Sequence, residues 1–437
     1  MSNRVLLSGL VAVSILVGNT QTGRAASLSA GIEQLFGEEG IQADVDRNAL
    51  PHRAHFTSQS LATFGLLVAQ LSADAADFPA VSTSPGFTYR YDSKLEVFER
   101  STTTLGPVFV ERPQTLGRGK VDIGFSYLYV DFARLNGHDL KGLEFRGLRH
   151  NDCCNSSHPP PSPGTPPFEI DTADLSYENF SLTSHVFTFT GTYGLTDRWD
   201  VNLLVPVLFT SLDLRGKATL NNESGSNTHF FDTKTGATVE ERSFNDDKLG
   251  VGDLQLRTKM RVYDGEAVQL ASGLTLRFPT GAEEDFQGLG DWTLTPFLAA
   301  SHSHERFEVH SSSGIQVNFD DAARSRVRYA AGVSLQATEW LAVLTDVIGS
   351  SNLVVDRIGV TVPEFVNAPG TSEATPTTLP AQVRFHKNLF TNVIDVAPGL
   401  KASLGESVVC WVTFFVPVTN DGLRASFIPA GGVQATF

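Results

Sequence analysis

From Val121 the chain falls into one repeating pattern, with Val121, Ile123, Phe125, Tyr127 and Tyr129 alternating with Asp122, Gly124 and Ser126. A period of two places successive side chains on opposite faces, which is the grammar of a β-strand with one apolar and one polar side. Similar stretches recur at 181–193, 199–212, 249–263, 267–278, 291–301, 306–319, 326–337, 340–349, 389–403, 407–416 and 426–437. The pattern predicts about twelve strands, an even number of the kind bacterial membrane-spanning barrels have.

The connections supply an independent reading. Segments 133–171, 213–248, 280–290, 320–325, 352–388 and 419–424 are the longer links, and they alternate with tight ones at 194–198, 264–265, 302–305, 338–339 and 404–406. Outer-membrane barrels have short turns on the periplasmic side and longer loops outside. The expected fold is therefore all-β, a transmembrane antiparallel up-and-down barrel over 119–437, with both ends of the chain in the periplasm.

Averages conceal such a fold. The 437 residues are 41% hydrophobic and 19% charged, and mean hydropathy is −0.06. No run is long and apolar enough for a spanning helix. Barrel strands alternate lipid-facing and lumen-facing residues, so their mean stays near neutral.

The same alternation sorts charges. In 249–263, Leu254, Leu256, Met260 and Val262 are expected to face lipid, opposite Asp253, Gln255, Arg257, Lys259 and Arg261. In 267–278, Leu270, Leu274, Leu276 and Phe278 point out and Arg277 in; in 326–337, Val327, Tyr329, Val333 and Leu335 oppose Arg326, Arg328, Ser334 and Gln336. Asp122, Asp200, Asp253, Glu308, Asp346 and Asp395 also fall on the inner face. The pore-lining candidates are Arg257, Lys259, Arg261, Arg277, Arg326, Arg328, Asp122, Asp253 and Glu308. They either form an electrostatic filter or pair as salt bridges that fill a narrow barrel. Trp199, Tyr263 and Trp340 sit beside tight turns, where an aromatic girdle belongs.

Before the barrel come two other regions. Arg4, the apolar stretch from Val5 to Val17 and the small residues around Gly23-Arg24-Ala25 read as a secretory signal peptide, 1–25, cut after Ala25. Segment 26–118 lacks strand grammar. A short helix is expected near 28–36 and a longer one at 57–74, capped by Thr57 or Ser58, with Leu61, Phe64, Val68 and Leu71 on one face. A hairpin is expected around Asp92-Ser93. This extension is read either as a plug in the lumen or as a periplasmic segment.

Net charge is −15, which repels nucleic acid and leaves no basic face for it. There are three cysteines, Cys153-Cys154 side by side and Cys410 in an apolar stretch. An odd count is no disulfide framework, and no metal-ligand spacing occurs. His302 and His304 are placed in a short turn and read as polar surface residues, and no cofactor is expected. The alternating last strand ends in Phe437, which resembles the signal read by barrel-insertion machinery. That machinery, outer-membrane lipid and a small-molecule substrate are the expected partners.

Three phrases, YGLTDRWDVNLLVP (193–206), LGVGDLQLRTKMRV (249–262) and LTLRFPTG (274–281), resemble the bacterial outer-membrane family named for the MetA-pathway of phenol degradation. The resemblance runs from about Gly119 onward. It implies a barrel transporter, with uptake of aromatic compounds in some members and an outline similar to long-chain fatty-acid channels. It carries over no catalytic or binding residue.

The expected function is thus a channel for small hydrophobic or aromatic molecules, and not an enzyme. The alternative is a structural or surface-exposed barrel whose loops bind partners. A third reading, an outer-membrane lipase, would need a Ser–His pair on neighbouring strands, outward near the rim, and His185 has no evident serine.

Overall fold

The computed structural model describes residues 26–38, 40–44, 55–83, 86, 88–92, 97–100, 104–149, 171–222, 229–265, 267–353, 359–361, 384–386, 391–405 and 407–437. The expected signal peptide, the Cys153-Cys154 pair and most of loop 352–388 lie outside them.

Twelve antiparallel strands form one closed wall. They are β1 (Val121–Leu135), β2 (Thr172–Thr196), β3 (Trp199–Asn221), β4 in two pieces (Val239–Val251 and Gln255–Asp264), β5 (Val268–Arg277) and β6 (Thr293–His304). β7 (Phe307–Asn318), β8 (Arg326–Gln336), β9 (Leu341–Asn352), β10 (Asn392–Leu404), β11 (Val408–Pro417) and β12 (Ile428–Thr436) complete it. Each pairs with its chain neighbour, and β12 pairs with β1. The seam is closed at its end by Val121 N donating to Phe437 O at 3.1 Å and Phe437 N to Val121 O at 2.8 Å. Closure removes every free edge that an open sheet would leave.

The expected strands all form, and the tight turns collect at one end. Three details differ. β2 and β3 are 25 and 23 residues long, against ~9–11 needed to cross a bilayer, so their far halves project beyond the wall. There they pair with the first piece of β4, turning much of the expected loop 213–248 into strand. That piece, VEERSFNDDKLGV, is polar on both faces, so no apolar alternation announces it. The expected single strand 249–263 is broken at 252–254. A side chain on Gly252 would meet Leu208 Cδ1 at 2.5 Å, and Leu254 N donates to the Thr280 hydroxyl instead of to a strand neighbour. Finally, His302 and His304 end β6 as exposed strand residues and are not in the turn.

The outward face is apolar. Ile123, Phe125, Leu203, Leu256, Leu274, Ile315, Val333 and Val412 are all exposed, forming the apolar outer belt that period two predicts. Trp199, Tyr263 and Trp340 are exposed at the tight-turn end.

Inside lie the described residues of segment 26–117. Helix α1 (Leu28–Glu33) and helix α2 (Thr57–Ala75) pack in an apolar cluster with Val130, Phe145, Tyr177, Phe180, Leu182 and Leu212 from the inner face at the long-loop end. The packed face of α2 is Phe64, Leu67, Leu71 and Ala75, while Leu61, expected inside, is 38% exposed. The helix is rotated because Ser60 turns inward, its hydroxyl accepting from Ile41 N at 2.9 Å and donating to Phe56 O at 2.7 Å. Neither Thr57 nor Ser58 caps α2. Its N-cap is Phe56, without a side-chain bond. The expected hairpin forms, pairing Tyr89–Asp92 with Val97–Arg100.

From α2 the chain runs toward the tight-turn end, anchored by inward side chains of the wall. Asp346 accepts from Val108 N and Phe109 N at 3.1 and 2.9 Å. Lys401 Nζ donates to the carbonyls of Leu105, Gly106 and Pro107 at 3.0, 3.3 and 2.6 Å, and Asp200 accepts from Leu116 N at 2.8 Å. A backbone without secondary structure must satisfy its polar groups somewhere. Here the barrel's inward charges do so.

Candidate functional site: two cavities around an ion cluster in the lumen

Asp77 follows the last turn of α2 and stands at the centre of the lumen's charges. Its carboxylate meets Arg326 Nη1 at 3.0 Å, Arg328 Nη2 at 2.5 Å and Arg277 Nη1 at 3.5 Å. Arg326 Nη2 also reaches Asp74 at 3.2 Å, and Arg277 Nε reaches Asp253 at 2.8 Å. Burial pushes the Asp77 carboxyl up, but Arg328, Arg326 and Arg277 outweigh it and hold it at about 2. Asp253 sits in the break of β4, where it accepts from Gly281 N at 3.0 Å and Leu289 N at 2.8 Å. It ties the 278–292 loop to the same cluster. Phe286 from that loop is fully buried beside α1 and α2.

A second cluster lies closer to the tight turns. Lys259 Nζ pairs with Glu111 at 2.9 Å and donates to Arg112 O at 2.8 Å. Glu111 also accepts from Thr83 N at 3.0 Å. Burial raises this carboxyl, yet Lys259, Arg257 and the Thr83 bond bring it below the ordinary range. Arg257 Nε donates to Asn202 Oδ1 at 2.7 Å and Nη1 to Val81 O at 2.7 Å. Its Nη2 is buried with no partner among the described residues.

Of the candidates read from sequence, Arg277, Arg326, Arg328 and Asp253 therefore gather around Asp77, and Arg257 and Lys259 around Glu111. The other three lie apart. Arg261 donates to Asp197 O at 2.8 Å in the tight turn, Asp122 accepts from Thr436 at 2.7 Å beside the seam, and Glu308 accepts from Gln114 at 2.9 Å and from Thr104. Sequence reasoning missed Asp77, Glu111, Phe78 and Phe109, which sit in a segment with no period to place them. The one available signal was Asp77-Phe78-Pro79 directly after a helix, where proline marks a stop.

Phe78 and Pro79 separate two cavities. The larger, about 180 Å³, is bounded by Phe109, Phe297, Tyr329, Arg257, Arg277 and Arg328, with Glu111, Asp77 and the small residues Ser312, Ser313 and Gly314. The smaller, about 90 Å³, is bounded by Val130, Phe132, Ile348, Phe415, Arg326, Arg328 and Arg424, with Arg424 paired to Asp395. Arg328 belongs to both. Among the described residues no group of three metal-ligating side chains occurs. His185 is on β2 next to Tyr127, whose hydroxyl lies 2.8 Å from its Nδ1. Opposite it on β3 stands Phe209, not a serine.

Fold and site together define a closed antiparallel twelve-strand barrel with an apolar outer belt and a charged interior occupied by its own N-terminal segment. The family described as "Putative MetA-pathway of phenol degradation" matches residues 171–346, from β2 into β9, which includes all three of the phrases that suggested it. No curated protein matches the sequence. Among solved structures, an outer-membrane channel from Pseudomonas putida F1 is similar at 13% identity and a TM-score of 0.43, covering 74% of this chain and 98% of that one. The toluene transporter TbuX of Ralstonia pickettii aligns at 10% identity and 0.35, over 83% and 99%. A FadL homologue of Pseudomonas aeruginosa aligns at 9% and 0.32, over 75% and 92%. At those scores none of the three decides what this chain does.

Proposed function

We propose that this protein is a bacterial outer-membrane channel that passes small hydrophobic or aromatic molecules, with segment 26–117 acting as a plug in its lumen. The observation that carries the reading is the pair of cavities beside Phe78-Pro79. They combine aromatic walls with the barrel's inward arginines and are enclosed by a wall whose outside is apolar. A pathway for a small ring needs such alternation of apolar lining and a few fixed polar groups. The ion pairs of Asp74 and Asp77 are the plug's fastening, and the pore-lining role falls to Arg257, Arg277, Arg326 and Arg328. Both chain ends lie on the periplasmic side in this reading, and Phe437 is the residue offered to the insertion machinery. The activity is passage, not turnover.

The test is uptake into liposomes carrying the full-length protein. Benzamide should enter several-fold faster than into protein-free liposomes, and glucose should not. Equal rates for benzamide with and without protein would overturn the channel. They would favour the second reading, a surface-exposed barrel whose projecting strands β2, β3 and β4 bind partners outside the cell.

A further inference from the structure

The larger cavity carries more positive charge than its fastening role uses. Around it Arg257, Arg277, Arg328, Arg326 and Lys259 meet Asp77, Glu111, Asp253 and Asp74, five cations to four carboxylates, which leaves one positive charge in excess. Two of these acids are engaged from outside the cavity, Asp77 by Arg326 and Glu111 by Lys259. The surplus can be located atom by atom. Arg328 spends Nη2 on Asp77 and Nε on Gln316. Its Nη1 donates to nothing among the described residues, and the side chain keeps 32% of its surface open. Arg257, in the same wall, holds the unpartnered Nη2. A buried donor without an acceptor is unfavourable, and a site that holds one such nitrogen on Arg257 beside an open one on Arg328 is suited to an arriving anion.

The rest of the wall says what the anion is attached to. Phe78, Phe109 and Phe297 border the space with aromatic rings, whereas Tyr329 alternates with Arg328 and carries its hydroxyl to Asn392 on the outer face; ring edges and faces pack best against another ring. Size sets a limit. An apolar cavity of ~150 Å³ holds one benzene, so about 180 Å³ admits a single ring with one small polar group and little else.

We infer that the larger cavity is a selectivity site for small aromatic monocarboxylates, with Arg328 receiving the carboxylate through Nη1 and the ring lying among Phe78, Phe109 and Phe297. Arg257 Nη2 is the second donor, reached as the anion settles. This rests on the channel reading above and narrows its substrate from aromatic molecules in general to the anionic ones. Arg328 also borders the smaller cavity, so it can hand the carboxylate past Phe78 without leaving it unpaired.

Benzoate and benzamide, equal in shape and different in charge, separate the possibilities. Proteoliposomes of the full-length protein are offered each at neutral pH, and uptake is read against protein-free liposomes. Benzoate uptake should saturate and exceed that of benzamide. Arg328→Gln should lower it about tenfold, the loss expected for one charged hydrogen bond, and so lower the ratio of benzoate to benzamide uptake read in the same preparation. Arg328→Lys, which keeps the charge and the bond to Asp77, should restore most of it. Because the benzamide rate is read in the same preparation, a variant that fails to fold shows itself by losing both. Benzamide entering while benzoate does not, or Arg328→Gln leaving benzoate unchanged, would overturn the anion site and leave the channel standing. If neither compound enters with the native protein, the channel reading falls and this inference with it.

Discussion

At the scale of single residues, the inner-face charges were legible because alternation alone assigns them a side. Arg257, Lys259, Arg261 and Arg277 are all buried, and Arg257, Lys259 and Arg277 donate to carbonyls of segment 26–117. Their partners were not legible. Asp77 and Glu111 lie in irregular chain, and nothing local predicts which of several inward arginines a carboxylate will meet. Asp77 is the residue whose loss should be felt most. Asp77→Asn leaves three guanidinium groups without their shared acceptor, and breaking a buried pair costs about 3–5 kcal/mol. Urea unfolding in detergent should show a midpoint shift of that order; a shift under about 1 kcal/mol would mean that Asp74 and Asp253 suffice. The pH response has a definite sign. The folded carboxyl lies at about 2, below its ordinary 3.8, so the ionised form favours the folded state. Its contribution, about 2 kcal/mol, is complete above roughly pH 4 and is lost as pH falls through about 2. The native protein should therefore lose stability over that interval, and Asp77→Asn should lose less.

Among elements, the strands were predicted nearly to the residue where they cross the apolar belt and poorly where they leave it. Beyond the belt the first piece of β4 has no buried face, so the period that marks a half-buried strand fades there, while the far halves of β2 and β3 keep one face packed on α1 and α2. The helices show the opposite limit. The pattern found α2 and its packed Phe64, Val68 and Leu71 but chose Leu61 over Leu67, because a polar residue, Ser60, takes an inward position to serve the backbone of Ile41. The rotation can be tested by paired substitutions. Leu67→Ala should cost about 2–5 kcal/mol as a buried truncation, and Leu61→Ala less than about 0.5 kcal/mol. Equal effects would contradict the packed face described above. A further test concerns Gly281, where a Cβ would stand 2.3 Å from Gln287 O. Gly281→Ala should loosen the 278–292 loop from Asp253 and from α1, seen as faster proteolysis of that loop with the wall intact.

Across the whole molecule, closure, strand number and the grouping of tight turns at one end were all readable from spacing. What filled the barrel was not, because an interior segment has no periodic partner and is ordered by scattered contacts distant in sequence. The outer belt gives the simplest large-scale test. Leu203, opposite Leu256 on the adjoining strand and exposed on the outside, faces hydrocarbon in this reading. Leu203→Arg should then cost up to ~2–4 kcal/mol in a bilayer and little in a soluble environment. Refolding yield into liposomes would register the difference, and an unaffected yield would argue that the belt does not meet lipid.

The seam between β1 and β12 carries a last consequence, one of timing. Thr436 and Asp122 meet there from 314 positions apart, so the wall cannot be sealed until almost the entire chain is available. A sheet still open at that seam leaves its concave side accessible to the interior segment, which runs directly into β1 and whose backbone Asp346 and Lys401 hold in the finished fold. Threading two helices through a sealed ring is the harder route, so docking of the segment is expected to precede closure.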